Sequence, residues 1–428
     1  MKNIPKIRKQ IIHNYFKFYK QNLSISDFYN SPFSYPATWS KNSGYYILKS
    51  FYNFNILERI KHFIKDFISI GRLSSYKLLI NSDLKKKKYK NLYISWARKK
   101  DFNNKGIFKN NYLPQFTKKN NLWFILNIDT KKIYSKDYLI WQKETFDKFD
   151  FRFLLVTIFQ IVLKNRFNLR KIYYSINVDT VFSNMVYKEL SETIQNYKIK
   201  KIFLPYEAQP FQKNLLSKIK RKNKKIKFIG FLNAIQPFPI HLHHFSDLVD
   251  VCYTISPSQR IQLTKIFGWN KKKLILIKSD KFKSRNVNNY KNQIILPFYI
   301  TNFKKILLLL ENLIKNKPTN YFCKFNVRPH PAGLVDKNYR VFTKQIKLIL
   351  RKFRKKFNNS KQSNKCLIVG STSSIIEALE KKLIVYHLVD QPELESLDKY
   401  LWPNVNITQI NDNIFKYTIK KTKSLINY

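Results

Sequence analysis

The chain has 428 residues, 44% of them hydrophobic and 16% aromatic, which excludes a disordered polymer and supplies a large core. That length exceeds what one hydrophobic core usually organises, so two domains are expected. The formal net charge of +55 has two explanations: a polyanionic partner, or an AT-rich genome that swells Lys, Asn, Ile, Phe and Tyr at the expense of Arg, Gly, Ala and Pro.

The lysines are spread along the chain rather than gathered in one block, which favours coding bias. A surface this positive attracts anionic lipid head groups and phosphorylated substrates in either case. Cys252, Cys323 and Cys366 lack CxxC spacing, which argues against a disulfide framework and for a reducing compartment. No charged-then-apolar signal pattern opens the chain. The longest apolar run, Phe153 to Leu163, is interrupted by Thr157 and Gln160 and is too short to cross a bilayer. A cytoplasmic protein is expected, peripheral on the inner face of the plasma membrane at most.

In chain order, residues 1–44 mix aromatics with Ser and Asn around Pro32 and Pro36, and an irregular lead-in is predicted. An α/β texture follows. Strands are predicted at Tyr45–Leu48, Leu92–Trp96 and Leu122–Ile128, with a weak one at Lys171–Val178 and two more at Lys201–Leu204 and Lys227–Phe231. Helices are predicted at Ile56–Ile70, Phe151–Leu163, Val181–Asn196 and Gln212–Lys220. Asp250–Ser256, followed by Pro257, reads as the crossing into a second unit. There, strands at Ile294–Pro297, Cys323–Arg328, Cys366–Val369 and Leu383–His387 alternate with helices at Phe303–Lys315, Tyr339–Phe357 and Ser374–Lys381. Apolar strands alternating with helices imply parallel sheets covered on both faces. The fold class expected is α/β, two Rossmann-like doubly wound domains, 45–249 and 250–428, facing a central cleft where the strands' carboxyl ends meet.

Two strand-end loops carry the chemistry. Gly370, Ser371, Thr372, Ser373 and Ser374 lie between the strand CLIV and a helix. A helix N-terminus offers unpaired N–H groups and partial positive charge to a phosphate, although one such hydroxyl would suffice as an ordinary cap. Arg328-Pro329-His330-Pro331 follows the strand before it. Prolines on both sides stiffen the loop and aim both the His330 imidazole and the Arg328 guanidinium at a donor; the imidazole can donate to a phosphate or a departing nucleotide oxygen, and a structural turn is the alternative. In the first half, Glu207 follows a strand and precedes a helix. It is either a base for a hydroxyl proton or a carboxylate stabilised by the helix dipole.

RPHP followed by GSTSSIIEAL resembles the donor site of GT-B glycosyltransferases that make bacterial surface polysaccharides, nearest to sialyl- and polysialyltransferases and teichoic-acid-type transferases. The resemblance covers mainly residues 250–390. It implies a nucleotide-sugar donor, with a CMP-linked sugar first, and a glycan or lipid-linked acceptor. It also implies that His330 and Ser371–Ser374 hold the donor phosphate, that Glu377 sits near the ribose, and that the reaction inverts. LPYEAQPF around Glu207 resembles the glutamate loop of surface-carbohydrate biosynthesis proteins, with Asn233 and Gln236 on the acceptor side, where relatives often carry His.

His241, His243 and His244 form an HLHH cluster without a companion carboxylate or thiol at ligand spacing, and it is read as a loop. The chain contains no DxD, GxGxxG or GxxxxGK[ST], so neither a metal nor a bound cofactor is expected and the common NTP fingerprints are missing. Lys271–Lys273 and Lys278 are either a membrane-leaning patch or a solvated charge run. A nucleic-acid-binding protein and a non-catalytic glycosyltransferase-like protein are the alternatives; no RNA- or DNA-binding motif supports a specific nucleic-acid partner.

Overall fold

A computed structural model of the chain describes residues 4–22, 35, 56–80, 84, 89–110, 113, 121–128, 131–135, 137–144, 148–278, 287–300, 302–316, 319–331, 333–354, 364–420 and 424–426. The expected strand Tyr45–Leu48 and the prolines Pro32 and Pro36 lie outside the described residues.

The first half comprises α1 (Ile4–Asn22), α2 (Ile56–Gly71), β1 (Tyr76–Leu79), β2 (Asn91–Ala97), β3 (Asn121–Asn127), β4 (Leu139–Lys143), α3 (Phe151–Lys164), α4 (Leu169–Ser175) and α5 (Val178–Asn196). It continues through β5 (Lys201–Pro205), α6 (Pro210–Lys222), β6 (Lys227–Phe231), β7 (Val251–Thr254), α7 (Pro257–Lys265) and β8 (Leu274–Leu276). These strands form one sheet in the order β1-β4-β3-β2-β5-β6-β7-β8. Every pairing is parallel except that of the edge strand β1. The chain enters at β2, runs outward to β4, and returns to β5 on the other side. The doubly wound switch point therefore lies between β2 and β5, and crevices for ligands open there, outside the strands' carboxyl ends.

The second half is β9 (Gln293–Ile295), α8 (Phe303–Lys315), β10 (Asn326–Arg328), α9 (Lys337–Arg354), β11 (Lys365–Val369), α10 (Ser374–Glu380), β12 (Ile384–Leu388), α11 (Pro392–Glu395), β13 (Val405–Asn411) and β14 (Ile414–Ile419). Its sheet order is β10-β9-β11-β12-β14-β13. The first four strands are parallel, and an antiparallel hairpin closes one edge. The switch point here falls between β9 and β11.

Four expectations are corrected. Residues 4–22 are a helix rather than an irregular lead-in. Its buried face combines Ile4, Tyr15 and Tyr19 with polar Arg8 and Asn22, which interrupt the apolar spacing. The crossing between sheets comes after β8, not at 250, because β7 pairs with β6, Ile229 opposite Val251. Lys171–Val178 is helical: Asn168 accepts from Lys171 N at 3.1 Å and Asn177 from Thr180 N at 2.8 Å, so two side-chain caps start α4 and α5 back to back. Of Cys323–Arg328, only the last three residues extend, after a 3-10 turn at Asn320–Lys324.

One apolar cluster runs through both halves, from Leu204 and Leu263 to Ile368 and Trp402. Polar contacts cross the same seam: Trp402 Nε1 donates to Pro237 O at 3.1 Å, and Gln262 Nε2 to Leu401 O at 3.2 Å. A second cluster, including Leu310, Phe342 and Leu367, lies under α8 and α9. Helix α1 belongs to both halves. The guanidinium of buried Arg8 pairs with Asp398 and donates to Glu393 O at 2.7 Å and Ser396 O at 2.6 Å. Farther along the same helix, Tyr19 stacks on Phe245 with centroids 4.4 Å apart. The three cysteines are free and buried.

Candidate functional site

In the second half, adjacent strands are about 4.8 Å apart, so β10 and β11, which flank β9, stand about 10 Å from each other. The Arg328–Pro331 loop leaves the carboxyl end of β10 and the Gly370–Ser374 loop leaves that of β11, with Pro297 and Phe298 at the end of β9 between them. The two loops thus leave strands on either side of β9, beside the β9–β11 switch point, where a doubly wound sheet has its ligand crevice. Gly370 can make this turn because its φ is +60°, a left-handed conformation that suits a residue without Cβ. Its N–H donates to Leu388 O at 2.9 Å, and its carbonyl lies 2.8 Å from His387 Nε2. Burial lowers the His387 pKa to about 4, so the ring is neutral and tautomer-locked. Thr372 Oγ1 accepts from Ser374 N at 3.3 Å, folding the hydroxyl run back on the start of α10 as a local cap.

The His330 loop is fixed by a tyrosine. His330 N donates to Tyr339 Oη at 3.0 Å, and Tyr339 Oη donates to Pro297 O at 2.8 Å. The His330 ring meets Phe298 edge-on, 5.6 Å between centroids. Its pKa is lowered, first by crowding that strips water from the ring and then by the charge of Arg98. A neutral imidazole donates one N–H rather than a positive charge. The Arg328 guanidinium lies 5.3 Å from the centre of the Tyr290 ring and donates to Asn289 O at 2.7 Å. Glu377 is buried and its carboxylate accepts from Tyr290 Oη.

Arg98 follows β2 and Glu207 follows β5, one on each side of the first switch point. The charge of Arg98 reaches His330, so the loop after β2 lies near the loop after β10. Glu207 is half-buried; it accepts from Gln209 Nε2 at 3.1 Å, while its N–H donates to Gln212 Oε1 at 3.0 Å. Ala208, at φ +54°, makes the sharp turn into α6. Asn233 and Gln236 lie on the loop leaving β6, next to β5.

Sequence reasoning missed several neighbours. Burial raises the Asp179 pKa to about 6; Asp66, desolvated and beside the charge of Asp179, also rises to about 6. The Tyr35 hydroxyl is pushed up by burial and then by Glu207 and Asp179, so three carboxylates gather near the first switch point. Glu395, beside the Gly370 turn, is buried and raised to about 7, while accepting from Asp390 N at 2.8 Å and Gln391 N at 3.3 Å. Arg98 closes a legible strand, but nothing in the sequence separates it from the lysines that follow.

The histidines of HLHH are packing residues. His241 is desolvated and lies near Lys213, which takes its pKa down to about 3. His243 meets Tyr19 edge-on at 4.8 Å. Among the described residues, no group of three His, Cys, Asp or Glu side chains converges on a cation-sized point. Lys273 of the lysine patch is paired with Asp247 at 3.0 Å. No described helix is long and apolar enough to cross a membrane.

No protein-family model matches the chain, and no curated protein matches it in sequence. Among solved structures it is similar to a glycosyltransferase from Rickettsia africae (13% identity, TM-score 0.32, 71% of this chain and 86% of that one). It is also similar to an α,α-trehalose-phosphate synthase (UDP-forming) from Burkholderia vietnamiensis (10% identity, TM-score 0.31, 64% and 72%). Likeness this slight carries no argument about chemistry, which has to come from the crevice itself.

Proposed function

We propose that the chain is a metal-independent GT-B glycosyltransferase that moves a sugar from a nucleotide-sugar donor, a CMP-linked sugar being the first to test, to a cell-surface glycan or its lipid-linked carrier on the cytoplasmic side. The observation that supports it best is that the His330 loop and the Ser371–Ser374 loop leave the carboxyl ends of the strands on either side of β9, while Glu207 follows the carboxyl end of β5 in the first sheet. The donor phosphate would lie over the end of β9, taking hydrogen bonds from His330 and from the hydroxyls and N–H groups of Ser371–Ser374.

In the reaction, the acceptor hydroxyl attacks the anomeric carbon and gives its proton to the Glu207 carboxylate. The bond from that carbon to the phosphate oxygen breaks, and its electron pair leaves on the phosphate. Attack from the face opposite the phosphate inverts the centre. Arg98, which follows β2, offsets the phosphate charge. On the acceptor side, Asn233 and Gln236 lie on the loop that leaves β6, the strand beside β5.

The test is calorimetric titration of the unaltered chain with CMP, CDP, UDP and GDP, repeated with His330→Ala and Ser373→Ala. At least one nucleotide should bind. Each substitution should weaken it about tenfold or more, the worth of a hydrogen bond to a charged group, with the melting temperature held. Binding to none of the four by the unaltered chain refutes the donor site. Binding without turnover of any sugar nucleotide identifies a non-catalytic relative.

A further inference from the structure

Helix α3 turns apolar side chains to solvent, where a surface helix ordinarily turns polar ones. Phe151, Leu155, Phe159 and Leu163 recur at every fourth position and are 62, 52, 62 and 49% exposed, while Leu154 and Ile161 are buried. Past the helix, Arg166 and Phe167 both adopt positive φ, 49° and 58°, which non-glycine residues avoid. The turn leaves Phe167 69% and Leu169 83% exposed. Helix α2 packs beside α3 and has Ile64 and Ile68 exposed as well. Apolar patches of this kind mark a surface that something covers.

Charge selects the partner. Arg152, Lys164, Arg166 and Lys171 border the stripe, and between residues 148 and 171 the one acid is Asp150, spent as the α3 cap on Phe153 N. A second copy of the chain would bring another +55 and be repelled. We propose that this face seats on an anionic lipid bilayer, with the Phe and Leu side chains in the acyl boundary and the Arg and Lys heads at the phosphates. The start of α3 meets the end of α2, Asp150 N donating to Gly71 O at 3.1 Å. From there β1 departs with Tyr76 opposite Lys143, at the carboxyl end of β4. The start of the seated face therefore lies near the carboxyl edge of the first sheet. The inference rests on this surface alone and stands or falls apart from the transfer chemistry.

The experiment is sedimentation of the full chain with vesicles of phosphatidylcholine, with or without phosphatidylglycerol, in low salt and in about 0.5 M salt, where the Debye length is a few ångströms. The anionic vesicles should bind the chain and retain part of it in high salt. The triple variant Phe159→Ser, Leu163→Ser, Phe167→Ser should partition about tenfold more weakly there, with an unchanged melting temperature. Equal partitioning of variant and unaltered chain overturns the proposal. So does a concentration-dependent oligomer, seen by light scattering without vesicles, that the triple variant abolishes. A Phe159→Trp variant provides a second readout: on anionic vesicles its added emission should shift blue and be quenched by brominated lipid, and an unmoved, unquenched signal overturns the proposal as well.

Discussion

Gly370→Ala tests whether the donor loop is held as its backbone implies. A Cβ at this position lands 3.1 Å from Pro297 Cγ and 3.8 Å from Glu395 Oε1, at φ +60°. The left-handed conformation costs an alanine about 1–2 kcal/mol. The stiffer unfolded chain offsets about 0.4–1 kcal/mol of that. Gly106, at φ +73° with its nearest atom 3.9 Å away, incurs the backbone cost alone, so Gly106→Ala should lose about 1 kcal/mol. Gly370→Ala adds the crowding against Pro297, a proline ring that can yield little, and should lose about 2–3 kcal/mol in total. Urea denaturation at equal m-values measures both, and calorimetric titration measures nucleotide affinity. Only Gly370→Ala should also weaken nucleotide binding, because the same turn aims Ser371–Ser374. Equal destabilisation of the two variants, or unchanged affinity in Gly370→Ala, would refute the argument that this turn is built around an absent side chain.

Arg8→Met leaves Asp398 buried without its counter-ion and should destabilise the chain by about 3–5 kcal/mol. The double variant with Asp398→Asn should recover much of that loss in a double-mutant cycle, and additive losses would mean that the two side chains are not coupled. Glu395 has its pKa raised from 4.5 to about 7. Below about pH 4.5 it is protonated in both states; as pH rises through 7 the unfolded chain ionises first, so stability falls, by up to about 3 kcal/mol. Melting followed between about pH 4 and 8 should show this loss in the unaltered chain and a flatter profile in Glu395→Gln; identical profiles would assign the slope to other groups.

The alternation of apolar strands and helices is written in local pattern, and so are the loops that follow β5, β10 and β11. A strand's length and its breaker residues are short-range properties, and Glu207, His330 and Ser371–Ser374 each follow a strand that the pattern reveals. Sheet order is not short-range. Nothing in VCYT says that β7 continues the first sheet, because pairing depends on which neighbour's backbone is free, and that is decided elsewhere in the chain. The same holds for Arg98, one cation in a lysine-rich stretch until the fold brings its charge to bear on His330. It holds again for Glu395, whose proton affinity comes from burial beside a glycine turn, and for Arg8, whose burial against Asp398 no hydrophobic count foretells. Local sequence determined which loops end strands. Tertiary structure alone decided which of them meet, because desolvation and charge act between neighbours in space.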